Sequence, residues 1–160
     1  MAQRVIDMSA DKKRILIIDD DEDILETLYS LMVKKGYNAE TANSGEAAIE
    51  KSKNMFFNLA LIDIVLPDME GTQLLVKLKP TVPKMRKIII TGHAALDNAI
   101  RALNMGADAY LMKPVNPQEL MKTIEEQLKL QEEETKMTQE RIASYIQSRM
   151  KQLEEEREKS

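Results

Sequence analysis

The chain has no cysteine and no tryptophan among its 160 residues. Without thiols, disulfides and cysteine-based zinc sites are excluded. No apolar run approaches the roughly 20 residues of a membrane span. The opening stretch from Met1 to Arg14 lacks the apolar segment of a signal peptide, so the expectation is a cytoplasmic protein with no membrane partner. An excess of positive charge is missing too: 23 Lys and Arg face 27 Asp and Glu, for a net charge of −4. A general nucleic-acid surface needs clustered basic residues, so direct nucleic-acid binding is not expected. Aromatic residues are scarce, with two Phe against eleven Met, which describes a soft and adaptable core. What remains is ordinary for a globular protein with one very polar segment, and the length suits one domain plus an appendage.

Short apolar runs alternate with helix-period segments, as expected of repeated βα units around a parallel sheet. Residues 1–13 read as a lead-in and 14–130 as the domain. Strand β1 is expected over about 14–19. Helix α1 follows, with Ile24, Leu25, Leu28, Leu31 and Met32 on one face and a stop at Gly36. Strand β2 (37–41) alternates Tyr37, Ala39 and Thr41 with polar residues, which suits a half-exposed edge. Asn43-Ser44-Gly45-Glu46 offers a cap for helix α2, ending near Asn54. Strand β3 (59–63) is apolar on both faces and therefore central. Helix α3 is expected over about 70–79 and strand β4 over 87–91. Leu96, Ile100 and Leu103 form the stripe of helix α4, which Gly106 closes. Strand β5 spans about 109–112, and Leu120, Met121, Ile124 and Leu128 line helix α5. This pattern predicts an α/β fold, a doubly wound five-stranded parallel sheet of order 2-1-3-4-5 with helices on both faces.

After Leu130 the composition changes. Gln131 to Lys136 has no apolar face, and then Ile142, Ile146, Met150 and Leu153 recur at spacings of four and three. Residues 131–160 thus read as a helical tail. A solvated helix and a short coiled-coil or docking segment both fit, because two heptads make a marginal coiled coil.

One carboxylate stands out against this frame. Asp63 ends the run Leu59-Ala60-Leu61-Ile62, where burying a charge is costly unless it has a use. Three other apolar runs end in groups suited to meet it: Ile15–Ile18 into Asp19-Asp20-Asp21, Ile88–Ile90 into Thr91, and Tyr110–Met112 into Lys113-Pro114. In a doubly wound sheet ligands bind at the carboxyl ends of the strands, and right-handed crossovers bring those ends to one edge. Asp19, Asp20, Asp63, Thr91 and Lys113 are therefore expected to converge. Carboxylates a few ångströms apart repel, and a divalent cation relieves that repulsion. Oxygen donors with open positions suit Mg²⁺. Lys113 supplies a compact positive charge, and Thr91 a hydroxyl donor. Asp21, Glu22 and Asp23 read as an acidic helix cap. A calcium loop fails here, because Ile24 stands where it needs Gly and Ser30 where it needs Glu. His93, the one histidine, reads as a surface helix-cap residue.

Residues from about 13 to 130 resemble the receiver domain of two-component response regulators, which has the flavodoxin-like form of this fold. The matching stretches are Ile15 to Asp21, Asp63-Ile64-Val65-Leu66-Pro67-Asp68-Met69-Glu70-Gly71, Ile88 to His93, and Ala109 to Pro114. The resemblance implies that Asp63 is the phospho-acceptor and that Asp19 and Asp20 form an acidic pocket. It implies a Mg²⁺ held by Asp20, Asp63 and the backbone carbonyl of Val65. Thr91 and Lys113 are then phosphoryl ligands, Tyr110 an aromatic switch residue, and the bond before Pro114 cis. Asp21 departs from the usual Glu, while Gly92 fits the family pattern. Val65 and His93 sit at the variable positions associated with the lifetime of the acyl phosphate.

The function this implies is a phospho-acceptor in phosphorelay signal transduction rather than a conventional enzyme. It catalyses only its own phosphorylation and dephosphorylation. Expected partners are a sensor histidine kinase or phosphotransfer protein and a downstream protein target. A homodimer through the α4-β5-α5 face or the C-terminal helix is a further expectation. Two rivals stand beside it. A phosphohydrolase of the haloacid-dehalogenase type presents a second Asp two residues after its nucleophile, where this chain has Val65. A non-phosphorylated adaptor would keep the fold for binding alone, although every site residue is present.

Overall fold

The computed structural model describes residues 12–92 and 96–159, with the backbone alone for 96–98. Most of the expected lead-in, 1–11, and the reading of His93 as a helix cap therefore lie outside the described residues. The strands are β1 (Arg14–Ile18), β2 (Asn38–Ala42), β3 (Leu59–Asp63), β4 (Arg86–Thr91) and β5 (Ala109–Met112). They form one parallel sheet in the order β2-β1-β3-β4-β5, as the sequence predicts. The helices are α1 (Glu22–Lys34), α2 (Gly45–Asn54), α3 (Gly71–Lys77), α4 (Leu96–Asn104) and α5 (Pro117–Lys159).

Period-two alternation in the strands builds two apolar layers. Leu16, Ile18, Ala60, Ile62 and Ile89 pack with residues of α2, α3 and α4, among them Ala48, Leu74 and Ala102. Ile15, Ile17, Leu59, Leu61, Ile88 and Leu111 pack with Leu25 and Met32 of α1 and with Leu120 and Ile124 of α5. Every residue of β3 is buried, which explains its unbroken apolar run. Local signals set the helix ends. The Asp21 carboxylate accepts the N–H groups of Asp23 and Ile24, and Ser44 Oγ accepts that of Ala47. Gly36 and Gly106 adopt φ of 93° and 108°. Each closes its helix with paired bonds, Tyr37 N–H to the Met32 carbonyl and Ala107 N–H to that of Ala102.

Two expectations need correction. Helix α3 is shorter than expected at Gly71–Lys77, with Glu70 at its N-cap. In α4 the two described side chains of the apolar stripe are not buried. Ile100 and Leu103 are each 49% exposed, and among the side chains described for 99–104 only Ala102 is buried. Periodicity identifies an apolar face but not whether the sheet covers it. The side chain of Leu96 lies outside the description.

Helix α5 and the tail form one 43-residue helix. The chain divides into two compact units between Leu128 and Lys129. In the second unit the side chains of Ile142, Ile146, Met150 and Leu153 are about half exposed. No described helix is long and apolar enough to cross a membrane.

Candidate functional site

Four strands deliver polar groups to the carboxyl edge of the sheet. Asp19 directly follows β1, and its N–H continues the ladder to the Ala42 carbonyl at 3.1 Å. Asp63 is the last residue of β3 and is only 6% exposed. Lys113 directly follows β5 and is held to β4 by its own N–H, 2.7 Å from the Thr91 carbonyl. The Lys113–Pro114 bond is cis.

The side chains of these residues meet. Lys113 Nζ donates to Asp19 Oδ2 at 3.1 Å and to Asp63 Oδ2 at 3.3 Å. The other oxygens of the two acids face backbone N–H groups: Asp19 Oδ1 accepts from Asp21 at 3.0 Å, and Asp63 Oδ1 from Val65 at 3.3 Å. Each buried carboxylate thus has a cation on one oxygen and an amide on the other, which makes its burial tolerable. Asp20 is exposed and completes the group. Asp19, Asp20 and Asp63 each offer an oxygen, and the three lie within 4.8 Å of one another.

Three carboxylates against one lysine leave a charge deficit in a partly dry place. A cavity of about 370 Å³ adjoins it, lined by Asp19, Asp63 and Lys113 together with apolar Ile17, Leu61 and Ile90. Apolar walls weaken screening and strengthen both attraction and repulsion. Burial acts to lower the Lys113 pKa, but the hydrogen bond and charge of Asp19, followed by those of Asp63, outweigh it and move the value upward. The lysine is therefore a permanent cation. A hard divalent cation fits what is left: carboxylate oxygens, close set, with one acid open to solvent. Asp20, Asp63 and the Val65 carbonyl are the groups that would hold it, with Asp19 beside them.

The loop after Asp63 is built to stay close. Gly71 N–H donates to the Ile64 carbonyl at 2.7 Å, and Val65 bridges Glu70 across the turn. A Cβ on Gly71 would collide with the backbone of Asp63 and Ile64, so only glycine lets α3 start against the end of β3. At the loop tip, Asp68 Oδ1 accepts the N–H of Gly45 at 2.9 Å and Oδ2 that of Glu46 at 2.8 Å. These bonds, Glu46 first, hold the Asp68 pKa below its ordinary value. The sequence reading missed this contact. The capping residue comes from 23 positions downstream, and no local signal announces it.

The remaining expected residues fall elsewhere. Thr91 is fully buried at the end of β4. By the pleat it shares the side of Ile89 and Tyr110, whereas Asp63 and Lys113 follow the side of Leu61 and Leu111. Tyr110 is half-buried against the layer of α2, α3 and α4. The structure therefore gathers Asp19, Asp20, Asp63 and Lys113 on one side, with Thr91 and Tyr110 on the other.

Comparison with known proteins identifies the family and the fold. The family model of the response regulator receiver domain matches residues 15–125. The chain belongs to the response regulator receiver domain family. It is 34% identical over 119 residues to the alginate biosynthesis transcriptional regulatory protein AlgB of Pseudomonas syringae, covering 74% of this chain and 27% of that protein. The chain thus spans about a quarter of the length of that curated relative. Among solved structures, a CheY-like receiver domain protein from Methanospirillum hungatei shares 51% identity with a TM-score of 0.73, covering 77% of this chain and 98% of that one. A response regulator from Burkholderia pseudomallei, solved with a phosphorylated aspartic acid, a calcium ion and citrate, shares 29% identity at a TM-score of 0.63. That match covers 69% of this chain and 65% of the other.

Proposed function

We propose that Asp63 accepts a phosphoryl group from a phosphohistidine on a sensor histidine kinase or phosphotransfer protein. The observation that carries this reading is the placement of the Asp63 carboxylate: buried at a strand end, bonded to Lys113, and within 4.8 Å of Asp19 and Asp20. An Asp63 oxygen forms the new O–P bond as the P–N bond of the phosphoimidazole breaks, and the imidazole nitrogen takes up a proton. Mg²⁺, when bound by Asp20, Asp63 and the Val65 carbonyl beside Asp19, supplies neutralisation of charge on the acids and the phosphoryl oxygens. Lys113 then exchanges its carboxylate contact for a phosphoryl oxygen, and Thr91 donates its hydroxyl to another. The chain promotes only its own phosphorylation and dephosphorylation, and in this reading it works in the cytoplasm.

The output follows from the same residues. Drawing Thr91 toward the phosphoryl group frees space on its side of the sheet, where Tyr110 already packs. Tyr110 turns inward and the α4-β5-α5 face shifts toward a second, pre-existing arrangement. That face signals by protein contact with a downstream target. The half-exposed stripe of Ile142, Ile146, Met150 and Leu153 supports pairing of the tail with a second copy or with a partner helix.

The test is direct. After incubation with acetyl phosphate and Mg²⁺, the mass of the intact protein should rise by one phosphoryl group, and Asp63→Ala should stay unmodified. An unmodified parent, or equal labelling of Asp63→Ala, would overturn the acceptor assignment. Comparing the oligomeric state of residues 1–130 and 1–160, with and without beryllofluoride, tests the tail. If neither change alters the mass in solution, the tail has no part in pairing.

A further inference from the structure

The loop that carries Val65 is tied down at both ends, and the two ties belong to different βα units. Its root is closed by Gly71 N–H to the Ile64 carbonyl and by the Val65–Glu70 bridge. Its tip is held by Asp68, whose two carboxylate oxygens accept the first N–H groups of α2, from Gly45 and Glu46. Met69 closes the same joint: its side chain lies directly over Gly45, and a Cβ there would have to push it aside. Helix α2 does not need Asp68 to be capped. Ser44 Oγ already occupies the N-cap and accepts the Ala47 N–H at 3.1 Å. Asp68 itself is exposed, so burial of apolar area does not account for its fixed place. What the contact accomplishes is to fix the loop tip against the first turn of α2, a helix already held in the layer that β3 and α3 share.

We propose that Asp68 is a positioning residue for the divalent cation: by clamping the loop tip to the N-terminus of α2, it holds the Val65 carbonyl where the cation needs it. This rests on the metal reading above. A ligand supplied by a loop backbone has no side-chain rotamer to lock, so its geometry is only as good as the loop's anchors. Groups that orient metal ligands from outside commonly change affinity by about tenfold or more when removed. Asp68 reaches one of three ligands, which places its effect at the low end.

The test measures Mg²⁺ affinity calorimetrically in the full chain for Asp68→Ala, Asp68→Asn and Ser44→Ala, alongside thermal unfolding. Asp68→Ala should raise the Mg²⁺ dissociation constant about tenfold. Half-maximal phosphorylation from acetyl phosphate should then need correspondingly more Mg²⁺. Asp68→Asn keeps one acceptor oxygen and should fall between. Ser44→Ala removes the cap within α2 and leaves the clamp, so it should lower the unfolding temperature without changing Mg²⁺ affinity. A dissociation constant for Asp68→Ala within about twofold of the parent, or an equal shift in Ser44→Ala, would reduce the contact to a helix cap and overturn the proposal. Asp20→Asn, which removes a direct ligand, serves as the reference for lost binding. A parent that binds no Mg²⁺ would overturn the metal reading first and the clamp with it, a result distinct from normal binding by parent and Asp68→Ala alike.

Discussion

Along α5, Leu120 and Ile124 are fully buried and Met121 and Leu128 nearly so, whereas among the side chains described in α4 (99–104) only the small Ala102 sits in the core, and Ile100 and Leu103 are half exposed. Both helices lie beside β5, but they are held very differently. Four large side chains contribute roughly 1.5–3 kcal/mol each to keeping the first turns of α5 in place. An alanine contributes far less, and at the C-terminal end of α4 the Gly106 turn adds its backbone bonds. Elements that move in a switch are drawn from the weakly held part of a structure. Of the proposed α4-β5-α5 response, α4 is therefore the part that can give, and the start of α5 is the part it moves against.

The largest effect should come from breaking the anchored side. Ile124→Ala removes a fully buried side chain from the layer between α5 and the sheet, and should cost about 2–5 kcal/mol in urea unfolding. A cost below about 1 kcal/mol would mean that α5 is held no more firmly than α4, and the contrast would fail.

How far this contrast could be read beforehand differs between the helices. The Leu120, Met121, Ile124 and Leu128 stripe is legible because all its members point the same way and all are buried. The α4 stripe is equally periodic, yet Ile100 and Leu103 are half exposed, because a pattern shows which face is apolar and not what covers it. The sheet order was legible from the βα alternation together with β1 and β3, whose apolar runs suit central places. Strand ends alone pointed to Asp19, Asp20, Asp63 and Lys113, but also to Thr91, which the pleat sets on the other side of the sheet. The Asp68 clamp was not legible, because it joins residues 23 and 22 apart through backbone N–H groups that leave no trace in side-chain pattern. The loss of the apolar face at Gln131 to Lys136 marks the end of the packed stripe and not the end of the helix. Glu, Gln and Lys are strong helix formers, and no Gly or Pro interrupts the run.

The anchored side also carries the electrostatic load, with three carboxylates within 4.8 Å of one another and one lysine among them. Removing one negative charge should relieve it. Asp20→Asn is expected to raise stability by about 1 kcal/mol in divalent-free buffer, since the pairwise repulsion is partly screened at this solvent-facing position. Added Mg²⁺ should then stabilise the parent and leave Asp20→Asn nearly unchanged. Unfolding curves with and without Mg²⁺ check both. A destabilised Asp20→Asn without Mg²⁺ would mean that the acids do not strain the fold.

On the opposite side the loop is held by polar contact, and its contribution should follow pH. The folded Asp68 pKa is depressed by the Glu46 and Gly45 N–H groups, so the stability it adds is present above the unfolded value of about 3.9 and is lost as pH falls through the folded one. The stability difference between the parent and Asp68→Asn should therefore be constant near neutrality and shrink below about pH 4. A difference that persists unchanged at lower pH would show that the carboxylate charge adds nothing to the clamp. Lys113 works at the other extreme. Its raised pKa gives stability that is complete below about pH 10.4 and is lost as pH rises through the folded value, well away from the Asp68 window.

The smallest effect tests the weakly held helix itself. Ile100→Ser and Leu103→Ser replace side chains that are about half exposed, so each should change unfolding stability by no more than about 0.5 kcal/mol. The same changes should leave acetyl-phosphate labelling of Asp63 intact, because the acids and Lys113 take their positions from β1, β3 and β5 and not from α4. If either substitution costs as much as Ile124→Ala, the stripe is buried in solution and α4 is anchored like α5. Near-neutral stability with unchanged labelling would leave α4 as a helix that carries large apolar side chains without using them for the fold, and those side chains would then be free for the contacts that the phosphorylated state makes.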